Sequence, residues 1–449
     1  MKEIHLAINY LNIESLKSTT PVYVLESNYD YTKKYNKFNK SIYIASVMII
    51  VFADRITLFP ITNQGNKIIH VINKIYHMNA DECLPSAFNL TIQQDNSIRE
   101  HLEPLNKILN LFSADFDYGL YGFFSYELCN IKIKKPLANE PLGFFYLPEI
   151  ISCKAGEVKK YSLSSDAEIK DMQDIDDINI LYNTNSYLNG ISPSYDDMYK
   201  IAQENIASDF INALNPSFSI THPTNKNPYT IFKELLSRNC APYNIFMKCP
   251  KFILVGASPA LFLRVNDGIV ETSPICGTVM RGKSEDEDRN NINTLLASKK
   301  DDHELSICVQ NNLIEKQIIC DDVHVLVPKE IEKFLNVFHT SAYIVGKLKQ
   351  NLTLFDAISQ LIWPSTVVGS PFYAASNLIG SYEKRYWYAG AFGYISIDGN
   401  ANFGSIIRSA VISEGKLTTR VGSTITKFSS PTMESSELLA KASLILGLL

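Results

Sequence analysis

The feature that most constrains this chain is the order in which its apolar segments arrive. From "SFSITHP" onward, strand-like runs come in hairpin groups: "YNIFMK" and "KFILVGASP", then "ALFLRVNDGIVETSPI". Later "WYAGAFGYISI", "GSIIRSAVIS" and "KLTTRVGSTITKF" repeat the pattern. Strict strand–helix–strand alternation would build a parallel sheet, whereas grouped hairpins build antiparallel ones. The expected fold is α+β, with large antiparallel β-sheets flanked by helices. Before residue 190, "PVYVLES", "SIYIASVMIIVF", "NKIIHVI", "YGLYGFFSYEL" and "PLGFFYLPEI" read as further β-rich runs between turns. The expected division is a β-rich portion over 1–190 and a second portion over 191–449, the two intertwined in one globular unit. The acidic, polar stretch 164–187 reads as a surface excursion near that boundary.

Helical periodicity is confined to a few segments, among them "SYDDMYKIAQENIASDFINAL", "NPYTIFKELLSR", "NLTLFDAISQLI" and "DDHELSICVQNNLIEKQIIC". The last of these sets Leu305, Cys308, Val309 and Leu313 at helical spacing. The C-terminal "SPTMESSELLAKASLILG" reads as an amphipathic helix with apolar Leu438, Leu439, Ala442 and Leu446. It also carries Glu434 and Glu437 one turn apart, and Lys441 four residues further on. Asp301 and Glu304 repeat the i, i+3 spacing on the other helix. Such pairs commonly line a solvated face. Two helices each bringing a pair could also offer carboxylate oxygens to a hard cation such as Mg2+. "PICGTVMRG", "VVGSP" and "RVGSTI" set Gly beside Ser or Thr, so each is either an ordinary turn or a row of N–H groups facing an anion. Arg408 falls in an apolar strand, where a salt bridge or a carboxylate clamp would account for it.

Composition narrows the partners. A net charge of -5 gives a nucleic acid no electrostatic hold. "IYIASVMIIVFA" is too short to span a bilayer, and the N-terminus lacks a secretory apolar core, so a cytoplasmic protein without a membrane partner is expected. Eight scattered cysteines with no CxxC pair read as reduced core thiols.

In order along the chain, six stretches resemble motifs of the chorismate-utilising enzymes. They are "LVGASPALFLRVNDGIVETSPICGTVMRG", "KKDDHELSICV", "FHTSAYIVGKL", "WYAGAFGYISIDG", "SIIRSAVI" and "VGSTITKFSSPTMESSELLAKA". "VLES" and "GLYGFFSYEL" echo the N-terminal portion of anthranilate synthases. The resemblance implies the anthranilate synthase component I-like fold, with 191–449 as the chorismate-binding catalytic portion. It implies Mg2+ at Glu304 and Glu437, with Asp301 and Glu434 as the second acidic position of each pair. Tyr388 and Arg408, helped by backbone near Gly422, would hold the enolpyruvyl carboxylate. Lys441 would lie near the metal-bound carboxylate, Gly277 and Thr278 beside the ring, and His339 would take part in ring chemistry.

Departures from the family pattern sort the reactions. Water-using members carry a lysine where Phe218 stands near "SFSITH", and the 4-aminating members carry a lysine nucleophile where Cys276 stands. Ammonia addition at ring carbon 2 remains. Ser370, Phe372 and the sequence "VGSTI" lean toward the 2-amino-2-desoxyisochorismate synthase of the phenazine type; the retained His339 keeps anthranilate synthase with pyruvate elimination open. The family's usual general acid is replaced by Ala260, which, with Asp301 and Gln310, also keeps open a chorismate-binding protein without turnover. Family members draw ammonia from a glutamine amidotransferase, expected here as a separate subunit; a homodimer is left open.

Overall fold

The computed structural model describes residues 4–11, 16, 19–32, 34–35, 37–76, 87–92, 97–135, 139–154, 157–163, 175 and 194–449. The acidic stretch 164–187, residue 175 apart, and Cys83 lie outside the described residues. A large curled sheet dominates, and all its strand pairings are antiparallel, as the hairpin grouping requires. Strands from early and late sequence interleave in it. Gly119–Phe124 pairs with Ala391–Ser396, setting Tyr121 opposite Tyr394. Tyr23–Ser27 pairs with Tyr243–Cys249, so "VLES" and "CAPYNIF" lie side by side, Glu26 opposite Asn244. The long strand Phe38–Val51 is buried along most of its length, which explains its unbroken apolar run.

Helices cover the sheet. Glu285–Ala297 and Lys299–Ile319 follow one another, Ser298 capping the second by accepting from the Asp301 N–H at 3.2 Å. Pro431–Leu446 starts at a Ser430 cap with Pro431 in the first turn, where a missing N–H costs nothing. It packs on the strand Lys416–Gly422 through Leu438 and Ala442. Among the described residues no helix is long and apolar enough to cross a membrane.

Three readings need correction. "NKIIHVI" is not a strand but part of the helix Asn63–Tyr76, whose buried Gln64, Ile68 and Ile72 recur every fourth residue. Seven residues rich in isoleucine fit a strand when seen without their flanks, and the helical period shows only over the full fourteen. Leu439 is exposed, and Ile445 is buried in its stead. Arg408 precedes rather than occupies the strand Ser409–Ser413, at a bend with φ +52°.

A buried polar knot ties the sheet to the helical layer behind it. The Glu383 carboxylate accepts from Arg385 Nε at 2.8 Å, from the Ser217 hydroxyl at 2.7 Å and from the Ser217 N–H at 3.0 Å, and an Arg420 amino group lies 3.3 Å away. All three charged side chains are essentially inaccessible to water. Removing one partner from such a group strands the others in a low-dielectric interior. Glu383→Ala is therefore expected to lower unfolding free energy by about 3–5 kcal/mol, read as a shift of the urea midpoint.

Candidate functional site

One local irregularity places the first site residues. Strand Ile275–Met280 pairs with Val337–Leu348, but the register slips between Cys276↔Thr340 and Val279↔Phe338. The extra residue makes a β-bulge at Gly277–Thr278, directly across from His339. Gly277 has φ +59°, and a Cβ there would lie 3.0 Å from the Asp301 side chain, so glycine is favoured on both counts. The bulge opens onto a cavity of about 640 Å3. Gly277, Thr278, Glu304, His339, Tyr388, Arg408, Gly422, Glu437 and Lys441 all line it.

On one wall, the helices Lys299–Ile319 and Pro431–Leu446 present Glu304 and Glu437. Lys441 Nζ lies 2.5 Å from Glu437 and donates to the Gly422 carbonyl at 2.9 Å. Lys300 Nζ lies 2.6 Å from Glu434 and 3.6 Å from Glu437. Burial pushes the Glu437 carboxyl up, but Lys441 and Lys300 outweigh it and hold the group well below the usual carboxylate range. Glu304 moves the other way, to about 8, because burial and the charge of Glu437 oppose its ionisation more than Lys300 favours it. Asp301 and Glu434 are not in the cavity lining. Asp301 sits behind the bulge, and Glu434 is fully buried against Lys300. Among the described residues no three of His, Cys, Asp and Glu converge into a metal-binding group. The wall thus offers two carboxylates. That suits Mg2+, which takes one or two carboxylates and completes its shell with water and ligand oxygens.

The opposite wall is cationic. Arg408 is buried, and its guanidinium has no carboxylate partner among the described residues. Burial lowers its pKa to about 10. Its left-handed backbone is pinned by the Ala257 N–H, which donates to the Arg408 carbonyl at 3.0 Å. His339 Nδ1 lies 2.7 Å from the Gly277 carbonyl oxygen, so Nδ1 carries the proton. Nε2 then accepts from Arg408 at 3.0 Å. Burial, then the neighbouring Arg408, drives the imidazole pKa down to about 3, so the ring is neutral and both nitrogens are occupied. The Thr278 hydroxyl bridges the walls, 3.2 Å from His339 Nδ1 and 3.3 Å from Glu437. A Cβ on Gly422 would fall 2.6 Å from Asn215 Oδ1 and 3.1 Å from the Tyr388 hydroxyl, so that side of the cavity needs a bare backbone.

Sequence reasoning missed Lys300, Asn215 and Thr424. Lys300 stands beside the first acidic pair in "KKDDHE", and a cation inside an acidic run was the available signal. Asn215 and Thr424 are joined by a 2.9 Å hydrogen bond that only the fold creates. Phe218 packs on Tyr195 and does not line the cavity. Cys276 does line it, but its thiol lies 3.4 Å from the Cys308 sulfur, which with burial raises its pKa well above the ordinary thiol value.

This arrangement has relatives. The family model described as "chorismate binding enzyme" matches residues 62–447. The chain is 31% identical over 356 residues to anthranilate synthase component 1 of Saccharolobus solfataricus, covering 75% of this chain and 84% of that one. It is 33% identical over 227 residues to the component 1 of Acetivibrio thermocellus, a match spanning 50% of this chain and just 46% of the relative. Anthranilate synthase component I from Streptococcus pneumoniae superposes with a TM-score of 0.67 at 20% identity, covering 93% of each chain. The menaquinone-specific isochorismate synthase from Escherichia coli superposes with a TM-score of 0.64 at 15% identity, covering 99% of this chain and 94% of that one. The structural likeness is one of fold: a large curled antiparallel sheet with flanking helices, the anthranilate synthase component I-like fold. With its family motifs matched over most of its length, this chain belongs to the chorismate binding enzymes.

Proposed function

We propose that the cavity binds chorismate and that the protein, with Mg2+, adds ammonia at ring carbon 2 with loss of the 4-hydroxyl, giving 2-amino-2-desoxyisochorismate. The observation that carries this reading is the two-walled cavity, with two carboxylates facing a buried guanidinium that has no carboxylate of its own. A cyclic dianion fits such a site if a divalent cation joins one of its carboxylates to Glu304 and Glu437. That cation, when bound, supplies counter-charge and polarises the ring system. Arg408 and Tyr388, beside the open backbone at Gly422, suit the second carboxylate. His339 orients Arg408 through Nε2, and Thr278 ties His339 to Glu437.

The choice of product rests on chemistry the site lacks. The Cys308 sulfur and burial together hold the Cys276 thiol protonated, a poor nucleophile toward the ring, which speaks against amination at carbon 4 by that route. No lysine falls within "SFSITH", which speaks against activation of water from that strand. His339 has its proton and its lone pair engaged, and a ring so held is poorly placed to abstract the proton that pyruvate elimination requires. Its presence in the wall still makes anthranilate the second reading. Ammonia would come from a separate glutamine amidotransferase subunit.

Chorismate incubated with the protein, Mg2+ and ammonium is expected to gain an amino group and keep its enolpyruvyl side chain by mass spectrometry, while glutamine alone gives no product. Fluorescent anthranilate would favour the second reading, and bound but unchanged chorismate would end the enzymatic one. Arg408→Met gives up the hydrogen bond to His339 Nε2 but also removes a buried charge that has no ion pair, so the urea midpoint is expected to move little. The substitution should weaken chorismate binding on the order of a hundredfold, measured by calorimetry. Because Glu304 is protonated below about 8 and a cation needs it ionised, Mg2+ affinity should rise from pH 6 to pH 8 with proton release. Calorimetry in buffers of different ionisation enthalpy measures that release, and Glu304→Gln should abolish it.

A further inference from the structure

Two sulfur atoms meet at the edge of the cavity. Cys276, on the strand that carries the Gly277–Thr278 bulge, belongs to the lining of the main cavity. Cys308, on the helix Lys299–Ile319, belongs to the lining of a second cavity of about 390 Å3. Their sulfurs lie 3.4 Å apart. Both residues are buried, and with Leu305 and Ala342 they form a small apolar cluster of their own, apart from the main core. Neither thiol has a part in the reaction proposed above.

Cys276 directly precedes the bulge, and Cys308 stands one helical turn after Glu304. The sulfur pair therefore joins the strand that frames the cavity to the helix that brings a carboxylate into it. That junction has little slack, since a Cβ on Gly277 would already lie 3.0 Å from the Asp301 side chain. We propose that Cys276 and Cys308 are a modification site for a peroxide, a dithiol that oxidises to a disulfide and so disturbs the carboxylate wall.

The Cys276 sulfur attacks one peroxide oxygen, and the oxygen–oxygen bond breaks. The other oxygen leaves with the thiol proton as water, and Cys276 becomes a sulfenic acid. The Cys308 sulfur then attacks the Cys276 sulfur, and the sulfur–oxygen bond breaks, its hydroxide taking the Cys308 proton as a second water. Two thiols and one peroxide give a disulfide and two waters; the sulfurs together lose two electrons and the peroxide gains them. The Cys308 sulfur and burial hold the Cys276 thiol protonated, which slows the first step and spares the pair from weak oxidants. A disulfide holds its sulfurs at about 2.05 Å. Closing the gap from 3.4 Å repacks the cluster that supports Glu304 from the next turn of its helix.

Peptide mass spectrometry of the full chain, treated with hydrogen peroxide and then alkylated in denaturant, tests this. The wild type is expected to yield a peptide pair joined through Cys276 and Cys308, two hydrogen atoms lighter than the separate peptides, with both thiols returned by dithiothreitol. Cys308→Ser should give no joined pair and leave Cys276 carrying oxygen; Cys308→Ala serves if the serine variant does not fold. Calorimetry should show Mg2+ bound on the order of tenfold more weakly by the oxidised protein, with full recovery on reduction. This last arm rests on the cation reading above, and the bond itself does not: a reduced protein that binds no Mg2+ overturns that reading, while the joined peptides alone decide the bond. Cys276 and Cys308 still free after the half-buried Cys153 and Cys240 have oxidised overturn the site. An oxidised protein with unchanged Mg2+ affinity overturns its effect on the wall.

Discussion

The site depends on where the Lys300 ammonium lies. It contacts Glu434 and Glu437, and so joins two helices that are more than a hundred residues apart in sequence. Without it, three carboxylates would crowd one buried corner, a repulsion that no apolar packing at that point offsets. With it, Glu434 has a buried counter-ion and Glu437 stays ionised, while burial and the charge of Glu437 push both Glu304 and Glu434 upward. The division of labour between chemically identical side chains therefore comes from where Lys300 and Lys441 lie.

That asymmetry extends across the cavity. Lys441 links the carboxylate wall to the Gly422 backbone, and Thr278 links the same wall to His339 and so to Arg408. Carboxylates, hydroxyl, imidazole and guanidinium form one connected line. Each member is oriented by the next, so the site's geometry is set before any ligand arrives. The bulge at Gly277–Thr278 is what brings the strand and the two helices to this line.

The sequence showed much of this, and where it misled the reasons are physical. The antiparallel architecture was readable because hairpin spacing is local. The residues lining the cavity were readable because their motifs kept their order. Depth was not readable. Glu434 and Glu437 share a helix face by spacing, yet one is sealed behind Lys300 and the other faces the cavity, because only the packing of a distant helix decides which is covered. Asp301 pairs with Glu304 by the same arithmetic but turns behind the Gly277 bulge. Leu439 and Ile445 exchanged roles because a helix with several apolar positions does not announce which stripe meets the sheet. "NKIIHVI" shows the limit of a short window, since β-branched residues are also common on a buried helix face.

Arg408 meets two demands at once. Its side chain brings a guanidinium to the cavity wall, while its backbone bends in the region that glycine, asparagine and aspartate tolerate best. The residues that sit easily in that bend carry no positive charge, and lysine, which carries one, gains nothing from the bend and lacks the planar fork. Sequence drift at this position therefore has no gentle slope: the first substitution that relaxes the chain also discharges the wall.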